Sequence, residues 1–326
     1  MKRLSTYLLA GIALLSASCS DFLDTAPKDA LSPATTWKTE TDAESFVVGC
    51  YNGLLDPSSI LYLDCGSDIG YNNFSWEGWR PWGDGSLSSG NTGASSAASD
   101  VYKRQVEFTT AGKKEELIAE AKAIRAYRYF IMNWWYGGVP IIGSYTTAEE
   151  AQVPRNTEAE VREQIAQDLD DALTAINTTP AARGRIAKGA VLATKMREAL
   201  YYGDWQKAKD AAQAIIDLKQ YELDSDYENL FKLTGVDSKE IILADQRLES
   251  VFGLGVIGQM YNNDDAGWSS IVPTQNLVDM YEMDNGLTKE EATGYYDAKH
   301  PFANRDPRMD MTILYPGQEW RGKILN

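Results

Sequence analysis

Two stretches of this chain concentrate residues able to do chemistry. Tyr71-Asn72-Asn73-Phe74-Ser75-Trp76-Glu77-Gly78-Trp79-Arg80-Pro81-Trp82 sets aromatic rings among amides and a carboxylate, and Tyr261-Asn262-Asn263-Asp264-Asp265-Ala266-Gly267-Trp268 has the same make-up. A flat ring offers an apolar face, and amides and carboxylates offer hydrogen-bond partners at its edge. That combination suits a ligand with apolar C–H faces and polar rims, as a sugar ring has. Covering about 100 Å² of one ring face is worth roughly 2.5 kcal/mol before binding costs. The expected ligand-binding residues are Tyr71, Asn72, Asn73, Trp76, Trp79, Trp82, Tyr261, Asn262, Asn263 and Trp268. The competing reading of these tryptophans is that they anchor loops from inside the fold.

Other chemistries fit less well. The chain has one histidine, His300, which rules against a multi-histidine metal site and argues against a Ser-His-Asp triad. A glycosidase needs two carboxylates about 5 to 9.5 Å apart, one with a raised pKa. Asp264 and Asp265 are adjacent and would point oppositely on a strand, and nothing in the sequence supports Asp68 with Glu77. Calcium binding by Asn262 to Asp265 lacks EF-hand spacing. The expectation is binding without catalysis, with no catalytic residue, metal or cofactor. A net charge of −16 with no basic block argues against nucleic acid and anionic lipid.

The amino end sets the location. Met1-Lys2-Arg3 is a short basic start, Leu4 to Ala17 is mainly apolar, and Leu15-Ser16-Ala17-Ser18-Cys19 closes the run with small residues before a cysteine. This is a secretory signal, too short for a permanent membrane span, which needs about 20 residues. Its end resembles a bacterial lipoprotein box, with Ser16 where Leu is usual, so residues 1–18 read as signal peptide and Cys19 as the lipidation site. Two acyl chains would then anchor the protein stably. Outside the cytoplasm Cys50 and Cys65 could pair. However, Cys50 shares a helical stripe with Ala43, Phe46, Val47 and Leu54, which favours free thiols.

Residues 19–40 read as a polar tether with Pro27 and Pro33. Thr41-Asp42-Ala43-Glu44 fits a capping box opening a helix to about Leu54. Residues 56–93 lose helical periodicity, and loops of that length are usually functional. Residues 95–105 fit neither neighbour and resemble a translated sequencing-library adapter, so they carry no assigned role. Glu115 to Tyr136 predicts the strongest helix. Leu117, Ala121, Ile124, Tyr127, Ile131 and Trp134 form one stripe, and Ala119, Ala123, Ala126 and Phe130 a second. It should pack on two sides, with Trp134 and Trp135 in the core, and stop at Gly137-Gly138-Val139-Pro140. Thr157-Glu158-Ala159-Glu160 is a second capping box, with Val161, Ile165, Leu169, Ala172 and Ile176 inward. Helices over 186–202 and 206–218 hinge at Gly203-Asp204, and Gly203-Asp204-Trp205-Gln206-Lys207-Ala208 resembles the turn of a tetratricopeptide repeat. A helix from Thr274 to Met283 follows. The chain stops without a capped element, which reads as a truncation.

Several of these segments, in order, resemble the RagB/SusD family. They are Cys19-Ser20-Asp21-Phe22-Leu23-Asp24, the helix ending Gly49-Cys50-Tyr51-Asn52-Gly53, and Glu120-Ala121-Lys122-Ala123-Ile124-Arg125-Ala126-Tyr127 through Tyr136-Gly137-Gly138-Val139-Pro140. Pro273-Thr274-Gln275-Asn276-Leu277-Val278-Asp279-Met280-Tyr281-Glu282-Met283 and Asn304-Arg305-Asp306-Pro307-Arg308 complete the set. The resemblance implies a mainly α fold, a tetratricopeptide-like helical-repeat scaffold whose long irregular loops carry the ligand site. A helical-repeat region would cover residues 41–222, and the start of the family's C-terminal region residues 223–326. It further implies a lipid-anchored protein on the outer face of the outer membrane. Such a protein binds oligo- or polysaccharide and passes it to a SusC-type TonB-dependent barrel. Some chains of this kind carry peptides, so a peptide- or protein-binding scaffold is the alternative.

Overall fold

The computed structural model describes residues 38–52, 54, 60, 62–80, 108–143, 149, 152–246 and 255–325. Cys19, most of the tether, Trp82 and residues 95–105 lie outside the described residues.

Among the described residues, five helices make the body: α1 Glu40–Gly49, α2 Lys113–Tyr136, α3 Glu158–Ala175, α4 Lys188–Tyr201 and α5 Trp205–Asp217. Consecutive helices from α2 onward pack against one another, and α1 lies against α2. The fold is the expected mainly α, tetratricopeptide-like stack, in which each helix pair buries its apolar stripe against the next. α2 is packed on two sides, as its two stripes require. Leu117, Ala121 and Ile124 are buried on one, and Ala119, Ala123, Ala126 and Phe130 on the other. The alanines let helix axes approach closely. Val161, Ile165, Leu169 and Ala172 of α3, with Ile176 just beyond it, are all buried in the same cluster. Among the described residues, no helix is long and apolar enough to cross a membrane.

The ends are set by local chemistry. Thr157 caps α3 as a full capping box with Glu160. α1 starts two residues before the expected position. Its cap is Thr39, whose backbone N–H and hydroxyl both donate to Asp42, and it ends at Gly49 rather than Leu54. Gly138 has no room for a side chain: a Cβ there would lie 1.9 Å from the Asn156 carbonyl oxygen, so the chain can pass this close only as glycine. Trp134 and Trp135 depart from expectation. They sit in the last turn of α2, where the chain turns off at Gly137, and are half-buried rather than sealed in the core. Cys65 is a buried free thiol and makes no bond to Cys50.

Charged groups clamp the helices inside this apolar body. Arg125 of α2 grips Asp168 of α3 with two bonds, 2.7 and 2.6 Å. Arg185, before α4, binds Glu120 of α2 through two nitrogens and Glu44 of α1 at 3.0 Å. The Tyr51 hydroxyl also donates to Glu120 and accepts from the Ile186 N–H at 2.7 Å. Glu120 is almost wholly buried at 2% exposure, and its hydrogen bond holds the Arg185 guanidinium more firmly protonated than usual. Burial first, and then Glu120, pushes the Tyr51 phenol well above its ordinary range.

After α5 the chain becomes irregular, with the short helices α6 Tyr227–Leu230, α7 Gln275–Met280 and α8 Pro307–Thr312. α7 stops three residues short of the expected Met283, because Met283 instead bridges to Arg305. Val278, Met309 and Ile313 form a second buried cluster, and Arg305 ties it together by donating to the Val278 and Tyr281 carbonyls at 2.6 Å.

Glu120→Ala should cost about 3 kcal/mol in chemical denaturation, because it leaves the half-buried Arg185 with Glu44 alone and the Tyr51 hydroxyl without its acceptor. Glu120→Gln, which keeps a hydrogen-bond acceptor, should cost less. Acid should also loosen the helix starts. Backbone and hydroxyl hydrogen bonds from Thr110 hold Glu40, and those from Thr157 hold Glu160, below their ordinary 4.5. A depressed folded pKa means the stabilisation is complete above pH 4.5 and is lost as pH falls through the folded values. Helix circular dichroism titrated downward from pH 6 should therefore hold steady until below pH 4.5 and then fall.

Candidate functional site

The two aromatic-and-amide stretches are almost 200 residues apart in sequence, and the fold joins them. β1 Gly70–Asn72 pairs antiparallel with β2 Ile271–Pro273 in the register Gly70↔Pro273, Tyr71↔Val272, Asn72↔Ile271. The pairing runs past both strand ends. Asn73 N–H donates to the Ser270 carbonyl at 2.8 Å, and Thr274 N–H donates to the Ile69 carbonyl at 3.0 Å. Side chains reinforce it: the Asn72 amide donates to the Ser270 carbonyl at 3.2 Å, and the Asn73 amide to that of Ser269 at 2.5 Å.

Each stretch is folded tightly on itself. Phe74 leads into a single 3₁₀ turn, Ser75–Glu77, closed by Gly78 at φ 83°. The Glu77 carboxylate accepts from the Asn72 amide at 2.6 Å, which binds this turn to β1. On the other side, Asn262 caps the 3₁₀ turn Asn263–Asp265, and Asp265 accepts from the Asn262 amide at 3.0 Å. The loop closes through Trp268 N–H to the Gly258 carbonyl, Ser269 N–H to that of Tyr261, and Ser270 N–H to that of Gln259, at 2.9, 2.9 and 2.7 Å. Ala266 and Ser269 take left-handed backbone at φ 62° and 48°, strained for residues with a side chain, so the surrounding bonds hold the loop in one shape. A hairpin behind the loop, β3 Glu319–Trp320 with β4 Lys323–Ile324, buttresses it: the Trp320 indole N–H donates to Asp265 at 2.8 Å.

The framework leaves rings on the surface. Trp76 is 77% exposed, Trp268 58% and Tyr261 41%. Trp76 rests on Phe74 with ring centres 4.3 Å apart, so one ring backs the other. Trp79 is half-buried, stacked on the buried Tyr62 at 5.7 Å and 9°, with its ring edge-on to Trp135 at 6.3 Å. The Arg80 guanidinium lies 5.5 Å from the centre of the Tyr71 ring. Burial, with the Glu77 carboxylate alongside, drives the Tyr62 phenol well above its ordinary range. Burial likewise pushes the Cys65 thiol up to about 11, so it stays protonated and inert.

The amides are placed differently from the rings. Asn72 is 1% exposed, and Asn72, Asn73 and Asn262 all spend their side chains on protein partners, so they build the framework of the site. Asn73 and Asn263 are exposed.

Residues 239–325 match the SusD family, and residues 97–200 match a family described as starch-binding associating with outer membrane. A SusD-like protein, P25, of Formosa agariphila is 27% identical over 255 residues, covering 69% of this chain and 48% of that protein. A SusD-like protein of Bacteroides ovatus is 27% identical over 271 residues, covering 73% and 49%. The crystal structure of a SusD-like carbohydrate binding protein from Bacteroides fragilis superposes with a TM-score of 0.72 at 26% identity, over 88% of this chain and 62% of that one. The chain is similar to the SusD/RagB family over these two segments. It spans about half the length of the curated relatives it matches.

Sequence reasoning missed several parts of this candidate site: Tyr62 under Trp79, Ser269 and Ser270 as acceptors, and Trp320 as the brace on Asp265. Only Trp320 left a trace in the sequence, as an isolated tryptophan in a turn-rich segment. Asp265→Ala should leave Trp320 unpartnered and loosen the loop, costing about 1 to 3 kcal/mol where the bond is buried. Hydrogen exchange should show faster exchange at the Trp268 and Ser269 amides and unchanged protection in α2 and α3.

Proposed function

We propose that this chain is a surface-exposed, glycan-binding lipoprotein that captures oligo- or polysaccharide and delivers it to a SusC-type TonB-dependent barrel in the outer membrane. The observation that carries the reading is the pinning of the Trp76 turn to the Tyr261–Trp268 loop through β1 and β2, with Trp76, Tyr261 and Trp268 exposed. Two distant loops are pinned together, and large rings that burial would normally favour are left open to solvent. The matches to the SusD-type families and the likeness to a SusD-like carbohydrate binding protein support it.

In this reading Trp76 and Trp268 are the stacking faces, with Tyr71, Trp79, Trp82 and Tyr261 flanking them. Asn263 meets sugar hydroxyls at the rim, and Asn72, Asn73 and Asn262, held by protein partners, fix the spacing. Two ring faces of about 100 Å² each contribute roughly 5 kcal/mol gross. After the costs of association, that corresponds to millimolar-to-micromolar affinity, which suits a protein that must release its cargo. Glu77 and Asp265 are bound to Asn72 and Trp320, an arrangement that serves rigidity and supports capture rather than hydrolysis. Cys19 would carry the lipid, with residues 19–40 as the tether.

A carbohydrate microarray tests the reading. The wild-type protein should bind at least one class of neutral glycan. Trp76→Ala and Trp268→Ala should each weaken that binding about tenfold or more, equivalent to about 1.4 kcal/mol or more. Binding unchanged in the double variant, or none in the wild type, would contradict it. Labelling with a palmitate analogue should mark the wild type and spare Cys19→Ser.

A further inference from the structure

A cleft lies beside the middle of α2, away from the loop site. The helix stack creates it. α2 packs closely on α3 and α3 on α4, but α2 and α4 meet only lightly. The residues that line the space from these two helices include small ones, Ala123 of α2 with Ala190 and Ala193 of α4, and a volume of about 330 Å³ remains open. Leu54 and the Ile242-Leu243 segment that follows α6 complete its walls. That volume stands at the low end of small-molecule sites, about 300 to 1,000 Å³. The walls are mostly aliphatic, so they offer water few partners.

Its polar groups are few and of one kind. Tyr127 of α2, half-buried, and Arg197 of α4, exposed, both line it. They are neighbours: burial raises the Tyr127 phenol above its ordinary range, and the Arg197 charge pulls it the other way. The phenol therefore keeps its proton and can donate. Among the described residues, neither the Tyr127 hydroxyl nor the Arg197 guanidinium has a hydrogen-bond or carboxylate partner. Thr194, a third polar side chain of the wall, already donates to the Ala190 carbonyl at 3.0 Å, and no carboxylate lines the cleft. A second cleft, on the other side of Leu54 and Leu243, makes the contrast. Its Arg183 is paired with Asp237 at 2.8 Å, and its Arg185 with Glu44 and Glu120. In a chain of net charge −16, a cation left unpaired at the edge of an apolar space is a place for an outside anion. A guanidinium fork beside a phenolic O–H presents donors only, and the head group that accepts from both is a carboxylate. The aliphatic walls call for an apolar body behind it.

We infer that this cleft binds a small amphipathic carboxylate, with its alkyl or aryl body between α2 and α4 and its head group on Arg197 and Tyr127. The site is independent of the loop site and of any sugar bound there. The volume limits the body to a single ring or a chain of medium length, and it excludes a helix laid in a groove. The head group, not the body, sets selectivity, because an uncharged ligand of the same shape leaves the guanidinium without a partner.

Isothermal titration of the full chain with octanoate, phenylbutyrate and octanol tests the site. Octanoate should bind about tenfold more tightly than octanol, which has the same chain length and no charge. Comparison with phenylbutyrate tells whether the body is preferred as a chain or as a ring. Arg197→Gln, at an exposed position with no partner to lose, should keep the wild-type melting temperature, weaken both carboxylates about tenfold and leave octanol unchanged. Tyr127→Phe, which keeps the ring and removes the hydroxyl, should weaken the carboxylates about threefold. Equal affinity for octanoate and octanol in the wild type, carboxylate binding unchanged in Arg197→Gln, or no binding of either carboxylate would overturn the site.

Discussion

The short β1–β2 pairing is the constraint on which the site depends. Three residue pairs, from Gly70↔Pro273 to Asn72↔Ile271, with a backbone bond beyond each end, bring the Trp76 turn beside the Trp268 loop. A two-stranded ribbon of this length is marginal alone in water. It persists here because its neighbours are polar groups with partners. Asn72 is buried and divides its amide between Ser270 and Glu77, while Asn73 reaches Ser269. Without these bonds, buried carbonyls would be left without donors, which costs more than an ordinary hydrogen bond contributes.

The ribbon needs something stiff to stand on. The helical stack supplies it through close packing at small residues and through buried ion pairs that admit one arrangement. Glu120 receives bonds from both Arg185 and Tyr51, so α1, α2 and the approach to α4 are fixed by a single carboxylate. Such a cluster contributes little net stability against an apolar core, yet breaking it is costly, and it penalises any other helix register. The rings at the end of the stack therefore keep their mutual contacts.

Much of the scaffold was legible because its signals are local. The Thr157 box, the two stripes of α2 and the Gly203-Asp204 turn depend on neighbours within a few residues. The misplaced start of α1 shows the limit: Thr39 and Thr41 are each followed three residues later by an acid, and only the bond from the Thr39 N–H to Asp42 separates them. The composition of the two aromatic stretches was legible too, and so was the idea that they share a chemistry. Their junction was not, because strand pairing across almost 200 residues leaves no periodicity to read. Nor was the division of labour between exposed rings and engaged amides, since Asn72 and Asn263 are the same residue type and differ only in what surrounds them. Trp134 and Trp135 misled for a related reason: a helical stripe tells which side faces inward but not where the opposing helix stops.

The central claim is that two distant loops present their rings as one surface. Fluorine NMR of 5-fluorotryptophan-labelled protein measures this directly, with resonances assigned by single Trp→Phe replacement during titration with a bound oligosaccharide. The account predicts that the Trp76 and Trp268 signals shift together along one saturation curve. Movement of only one of them, or separate curves for the two, would contradict it.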